Sequence, residues 1–332
     1  MLVLGLETSC DETAAAVVAD GRRVLSNVVA TQFELHAVYG GVVPELAARR
    51  HLENLLPVIR GALDQAGVTL RQIDGLAATQ RPGLIGALVI GMAAAKTLAY
   101  ALRRPLVGVH HLHAHVVSIF LTDAPPAFPF VGLVVSGGHT NLYLVHGFGD
   151  MRLLGRTRDD AAGEAFDKVA KIMGLGYPGG VVIEALGAAG DPAALPLPRP
   201  RIPEEPLTFS FSGLKTAVAV LLQKHPEILV DPRARADLAA GFQEAVVDSL
   251  VSRAMLALEH TGCRSLVVAG GVAANGRLRR ALAEAAGAAG AELFLPPLSL
   301  CTDNAAMVAA LGHHLLQAGE RLPLDADVFS RG

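Results

Sequence analysis

"LGLETSCDETAAAVVADG" (residues 4–21) and "VGLVVSGGHTNLYLVHG" (residues 131–147) share one plan: an apolar run, a polar turn of small residues, and a second apolar run ending at glycine. A strand, a turn and a returning strand make a hairpin signature. Its recurrence marks a weak internal duplication. Working outward, further strands fit "GLAATQ", "PLVGVH", "SLVVAGG" and "AELFLP". Helices fit "PELAARRHLENLLPVIRGALDQAG", "GALVIGMAAAKTLAYAL", "GEAFDKVAKIMG", "ADLAAGFQEAVVDSLVSRAMLALEHTG", "NGRLRRALAEAAGAAG" and "TDNAAMVAALGHHLLQAG". Alternation of this kind predicts an α/β fold with layered sheets.

The two hairpin turns differ in chemistry. "SGGHT" (Ser136, Gly137, Gly138, His139, Thr140) lets backbone N–H groups approach an anion closely and adds hydroxyl donors, which suits a phosphate. "ETSCDET" carries Glu7, Asp11 and Glu12, carboxylates better matched to water or a metal. Either turn taken alone also reads as an ordinary β-hairpin. A third stretch, "AGGVAANGRL", follows a strand and opens a helix, so Gly270 and Gly271 permit close ligand approach. Asn275 there either bonds a polar edge or N-caps the helix.

"VHHLHAHV" (residues 109–116) gathers four of the chain's 12 histidines. On a helix starting near residue 111, His111, His115, Ser118 and Thr122 fall on one polar stripe, whereas His110 and His113 project into the apolar arc. His111 and His115 are therefore the candidate chelating pair. Two ligands hold a metal weakly, so a third is required from elsewhere; the alternative is a pair of histidines bonded to backbone or water. The spacing matches zinc proteases, but the position of their glutamate base is Leu112.

At 332 residues the chain exceeds the usual size of one hydrophobic core, which predicts two domains. Hydrophobic content of 52% against 18% charged describes a compact protein and excludes a disordered one. Cys10, Cys263 and Cys301 are too scattered for a disulfide framework or a cysteine zinc site, which fits a reducing cytoplasm. The start "MLVLGLETSC" reads as a first strand and not as a signal peptide. "GLIGALVIGMAAAKTLAYAL" (residues 83–102) is apolar, but Lys96 and its small residues predict a packing helix and no membrane span. The net charge of −3 argues against a generic nucleic-acid coat while leaving local basic patches open: Arg22/Arg23, Arg49/Arg50, Arg103/Arg104, Arg279/Arg280 and the proline-rich Arg199/Arg201.

Together the hairpins and glycine turns resemble the actin, Hsp70 and sugar-kinase superfamily, which implies a duplicated two-domain α/β fold with a nucleotide cleft between the domains. Within it the chain is similar to the TsaD family of bacterial tRNA N6-adenosine threonylcarbamoyltransferases, formerly called O-sialoglycoprotein endopeptidases. The resemblance runs through "GLETSCDETAAAVV", "GGVVPELAARRHLENLLP", "RPGLIGALVIGMAAAKTLA", "GVHHLHAHV", "VVSGGHTNLYLV", "DDAAGEAFDKVAKIMGLGYPGG", "FSFSGLKTA", "VVAGGVAANGRLR" and "CTDNAAM", in order. It implies an N-terminal actin-like domain over residues 1–125 and a C-terminal one over 126–332, with the final helix (about 303–318) packing back on the first.

The same resemblance implies that Asp303 joins His111 and His115 as ligands of one divalent ion, iron(II) or zinc. Without it, Asp303 reads as an N-cap or first-turn acid. Substrate contacts are implied at Val134, Val135, Ser136, Gly137, Gly138, Asp167, Gly180, Glu184 and Asn275. Departures from the family pattern are "GGVVIEAL", with Glu184 in place of a shorter carboxylate, Gly276 where a longer residue is usual, and "ELAARRH", which lacks the more usual serine. The implied reaction is transfer of the threonylcarbamoyl group from threonylcarbamoyl-AMP to N6 of adenosine 37 in tRNAs reading ANN codons, forming t6A and releasing AMP. Asp11 or Glu12 is the candidate to accept the amine proton, with a donor phosphate oxygen the alternative. The implied partners are tRNA, TsaB and TsaE, with a homodimer possible, and the implied location is cytoplasmic. Two rivals remain on residues alone: a metalloprotease, and a non-catalytic ATP-binding scaffold that needs no metal.

Overall fold

The computed structural model describes residues 1–200 and 202–331, so Arg201 of the proline-rich pair lies outside the described residues. Among the described residues, ten strands form two five-stranded sheets. The first holds β1 (Leu2–Glu7), β2 (Glu12–Ala19), β3 (Arg23–Thr31), β4 (Gly75–Arg81) and β5 (Leu106–His110), in the order β3-β2-β1-β4-β5. The second holds β6 (Phe130–Val135), β7 (Thr140–Gly147), β8 (Asp150–Arg156), β9 (Ser265–Ala269) and β10 (Glu292–Phe294), in the order β10-β9-β6-β7-β8.

Those orders are the same once β6 is set on β1. Each leading strand pairs antiparallel with its hairpin partner, Leu6 with Ala15 in one sheet and Val134 with Asn141 in the other. Each also pairs in parallel with the strand that follows a helical crossover, Leu6 with Ala78 and Val134 with Ala269. The duplication in the two quoted stretches is thus a repeated sheet topology.

Two compact units contain these sheets. One comprises Met1–Pro126, Gly147–Met151 and Pro296–Gly332; the other comprises Ala127–His146 and Arg152–Leu295. In the first unit, strand alternation sorts side chains to two faces. Val3, Ala14, Ala16, Val18, Ala77, Val107 and Val109 meet helix Ala305–Gln317 and helix His111–Val117. Leu4, Leu6, Ala15, Val17, Leu76, Ala78 and Leu106 meet helices Pro44–Ala66 and Ile85–Leu102. Both faces are covered, which is why the inner strands read as continuous apolar runs.

Helix Ile85–Leu102 is long and apolar enough to cross a membrane by length and composition. It serves instead as the crossover between the parallel strands β4 and β5. Leu88, Met92, Ala95 and Ala99 enter the core, and Lys96 donates to the Ala326 carbonyl. This is the packing helix that the lysine and small residues predict.

Candidate metal centre and ligand turns

Strand alternation carries Val3 and Ala77 to one face of the first sheet, and the same alternation carries Glu7 and Thr79 there, at the carboxyl ends of β1 and β4. Helix His111–Val117 starts directly after β5, so His111 enters at the same edge. Carboxyl ends of parallel strands are the usual ligand edge of an α/β sheet.

Here His111, His115 and Asp303 each offer a ligand atom, all within 4.8 Å of one another. Nε2 of His115 lies 3.0 Å, and Nε2 of His111 3.5 Å, from the same Asp303 oxygen, Oδ1. The two imidazoles meet edge to face with centroids 4.7 Å apart, and both are buried. Two nitrogens and a carboxylate oxygen suit iron(II) or zinc. Asp303 is not a cap: Asn304 caps helix Ala305–Gln317 by accepting from Met307 N, leaving the aspartate just outside the helix. Ser118, on the predicted stripe, donates to the His115 carbonyl, whereas His110 and His113 stack on each other at 4.0 Å. Leu112, between the two histidines, is a core residue and no base.

The charges around this group are mutually adjusted. Burial works against the imidazolium of His111, but the Glu7 and Asp303 carboxylates outweigh it and raise its pKa to about 9. Burial works against the Glu7 carboxylate too, and His111 nonetheless holds it below the usual range. Burial, then Asp303 and Asp11, push the Glu12 carboxyl up to about 10, and burial with Asp11 raises the Cys10 thiol. An excess of carboxylates beside two imidazoles is a setting that a cation relieves. The β1–β2 turn is braced from behind by His51, whose Nδ1 accepts from Thr13 Oγ1 (2.8 Å) and whose Nε2 donates to the Cys10 carbonyl (3.0 Å).

The second unit presents a different edge. Residues 136–139 close a turn in which Ser136 N donates to the His139 carbonyl and His139 N to Ser136 Oγ. A Cβ built on Gly137 or Gly138 meets nothing within 4 Å, so this turn is open to a ligand. Gly163, at the start of helix Ala162–Ile172, presses on it: a Cβ there would lie 2.6 Å from the Ser136 carbonyl oxygen. Gly270 follows β9 with φ +96°, and a Cβ would overlap the Val135 carbonyl oxygen. Only glycine fits both the angle and the approach.

Of the other expected contacts in this unit, the Val134 and Val135 side chains are buried, so they offer backbone only. Asp167 Oδ1 accepts from Gly179 N at 2.7 Å, Glu184 Oε1 from Gly276 N at 2.8 Å, and Gly180 has open space where a Cβ would be. Asn275 N-caps helix Gly276–Ala288 through Leu278 N and donates to Gln243 Oε1. Glu184, the longer carboxylate, thus reaches the first amide of that helix, where Gly276 leaves room for it. Residue patterns missed the roles of Thr79, His51 and Gln243: each is a single polar residue whose partner lies far along the chain.

Comparison with known proteins agrees with this geometry. The family model "TsaD: tRNA N6-adenosine threonylcarbamoyltransferase" matches residues 23–310. A protein of that name from Symbiobacterium thermophilum is 59% identical over 324 residues, 98% of this chain and 94% of the relative. Its namesake from Syntrophus aciditrophicus is 53% identical over 334 residues, covering 100% and 97%. Among solved structures, HypF of T. kodakarensis superposes with TM-score 0.61 at 16% identity, covering 96% of this chain and 48% of that one. Component A of the Acidaminococcus fermentans (R)-2-hydroxyglutaryl-CoA dehydratase gives 0.56 at 16%, covering 96% and 100%. These structures share the fold of this chain, the duplicated two-sheet α/β arrangement expected from the two hairpins. From a family model spanning most of its length and relatives above half identity, the chain belongs to the tRNA N6-adenosine threonylcarbamoyltransferase family.

Proposed function

We propose that the chain forms t6A by moving the threonylcarbamoyl group of threonylcarbamoyl-AMP to N6 of adenosine 37 in tRNAs reading ANN codons. One observation carries the metal-assisted form of this reading: in a chain of this family, His111, His115 and Asp303 converge within 4.8 Å. These residues would hold one divalent ion, iron(II) or zinc, which would supply Lewis-acid charge neutralisation.

The amine lone pair of N6 attacks the carbamoyl carbon, the bond from that carbon to the phosphate oxygen breaks, AMP leaves, and N6 gives up one proton. The donor is an activated anhydride, so the protein's main tasks are positioning and charge stabilisation. The open amides of Gly137 and Gly138, with Ser136 and the Val134–Val135 backbone, take the phosphate. Asp167, Gly180, Glu184 and Asn275 take the adenosine. Asp11 and Glu12 are the candidate proton acceptors. Burial, Asp303 and Asp11 raise the Glu12 carboxyl to about 10. The tRNA base must be splayed from its loop to be reached. TsaB and TsaE as protein partners, a homodimer, and a cytoplasmic location complete the proposal.

The test is reconstitution: the protein, TsaB, TsaE, threonylcarbamoyl-AMP and unmodified tRNA, with nucleosides read by mass spectrometry. t6A from the wild type, lost in His111→Ala, is the expected result. No t6A from the wild type, or an undiminished yield from His111→Ala, contradicts it.

A further inference from the structure

The three ligand residues are not supported alike. Nδ1 of His115 is buried with no hydrogen-bond partner among the described residues, so no group behind that ring holds a proton on Nδ1. Nδ1 of His111 points at Glu7 Oε2, 2.9 Å away. We infer that Glu7 is the positioning residue of the metal group: its carboxylate keeps the His111 proton on Nδ1 and thereby presents Nε2 as a ligand nitrogen. The inference rests on the metal reading above and adds a residue to it.

The hydrogen bonds leave little alternative. Glu7 is wholly buried. Its Oε1 accepts from Ser9 N at 2.6 Å, and its Oε2 accepts from Thr79 Oγ1 at 2.7 Å as well as from His111 Nδ1. A backbone amide only donates, so the Oε1 position must be an acceptor. A carboxylate meets all three donors at once, since each of its oxygens has two lone pairs. With glutamine at position 7, the amide oxygen must face Ser9 N, and its NH2 then faces Thr79 and His111. Thr79 can rotate its hydroxyl to accept. His111 can accept at Nδ1 only by moving its proton to Nε2, the nitrogen 3.5 Å from Asp303 Oδ1. A protonated Nε2 has no lone pair for a metal. Glu7→Gln therefore keeps the volume and the hydrogen-bond count while turning the wrong nitrogen of His111 toward the site.

Carboxylates behind ligating histidines are a general device for fixing the tautomer, and their loss costs roughly 10–100-fold in metal affinity. The site at Glu7 fits that device in geometry and burial. Ser9 Oγ also lies 3.2 Å from the same Nδ1, and it is neutral.

The experiment uses full-length protein and zinc or cobalt(II) alone, with affinity measured by chelator competition for wild type, Glu7→Gln, Glu7→Asp and His115→Ala. Melting of the chelated proteins reports whether each folds. Zinc-loaded wild type is expected to show a low-field ring N–H proton from His111 Nδ1; Glu7→Gln loses that signal and binds about 10–100-fold more weakly. Glu7→Asp, which keeps the charge but withdraws it, falls between. Zinc affinity of Glu7→Gln within twofold of wild type, with the ring proton retained, overturns the inference. Should Glu7→Gln not fold, Glu7→Asp decides: weaker binding supports the inference, and binding within twofold overturns it. His115→Ala separates the two levels, because undiminished zinc binding there overturns the metal reading itself.

Discussion

The β1–β2 turn and the β6–β7 turn occupy the same place in two sheets of the same strand order, yet they bring opposite charge to it. Around the first lie Glu7, Asp11, Glu12 and Asp303 with His111 and His115; Glu7 and the two histidines are buried, and the other three are partly so. At the second, Ser136 N is tied to the His139 carbonyl, while Gly137 and Gly138 have open space where a Cβ would be, backed by a helix start. The lesson is that a repeated scaffold places the edge, while the residues gathered there decide whether carboxylates and imidazoles or glycine backbone faces it.

Breaking one turn should therefore leave the other's ligand in place. Asp303→Ala carries the largest expected effect: loss of zinc or iron(II) binding by more than about a hundredfold, since a two-histidine remnant chelates poorly, with AMP binding unchanged within a few-fold. Equilibrium dialysis of ion and nucleotide on the same protein checks both halves. If AMP binding disappears along with the ion, the two turns are not separable.

Gly270→Val is the converse. It forces a branched side chain to φ +96° and against the Val135 carbonyl oxygen, which costs roughly 3 kcal/mol. Denaturant melts should show that loss, with AMP affinity reduced and zinc affinity retained.

A pH series sharpens the same contrast. His111 is raised from 6.5 to about 9, so the folded chelated protein holds that proton more tightly than the unfolded chain. Its stabilising contribution is complete below about pH 6.5 and is lost as pH rises through about 9. Zinc competes with the same proton, so its affinity moves oppositely, climbing across that window and levelling above it. Melting temperatures of chelated protein and zinc affinities in chelate buffers test the two signs. A flat zinc affinity across the window contradicts the account.

The smallest effects are expected at the helix caps beside each site. Asn304→Ala and Asn275→Ala each remove a side chain that accepts from the helix's third amide, at a cost of about 1 kcal/mol. Asn304→Ala should also loosen zinc, because it adjoins Asp303; Asn275→Ala should not.

The fold was legible in the sequence where strands are buried on both faces. β3 and β8 escaped the strand pattern because they are the outermost strands of their half-sheets, half exposed and mixed in character, as in "RVLSNVVAT" and "DMRLLGR". Helices Gly179–Gly187 and Ser212–Lys224 sit inside stretches marked by motif and glycine, where periodicity is short. For the site, His111 and His115 followed from helical spacing alone, because both lie within seven consecutive helical residues. Asp303 did not, being 188 residues beyond His115; only the family resemblance supplied it. Glu7 was visible as a carboxylate, but its task depends on Thr79 and His111, which topology and not sequence distance brings beside it.

The most direct measurement is a single-turnover t6A assay on chelated protein with TsaB, TsaE, threonylcarbamoyl-AMP and unmodified tRNA, titrated with iron(II) or zinc. The account predicts a yield near zero without added ion, rising in proportion and levelling at one ion per chain, with no rise in His115→Ala. A full yield from chelated protein, or an equal rise in His115→Ala, would contradict it.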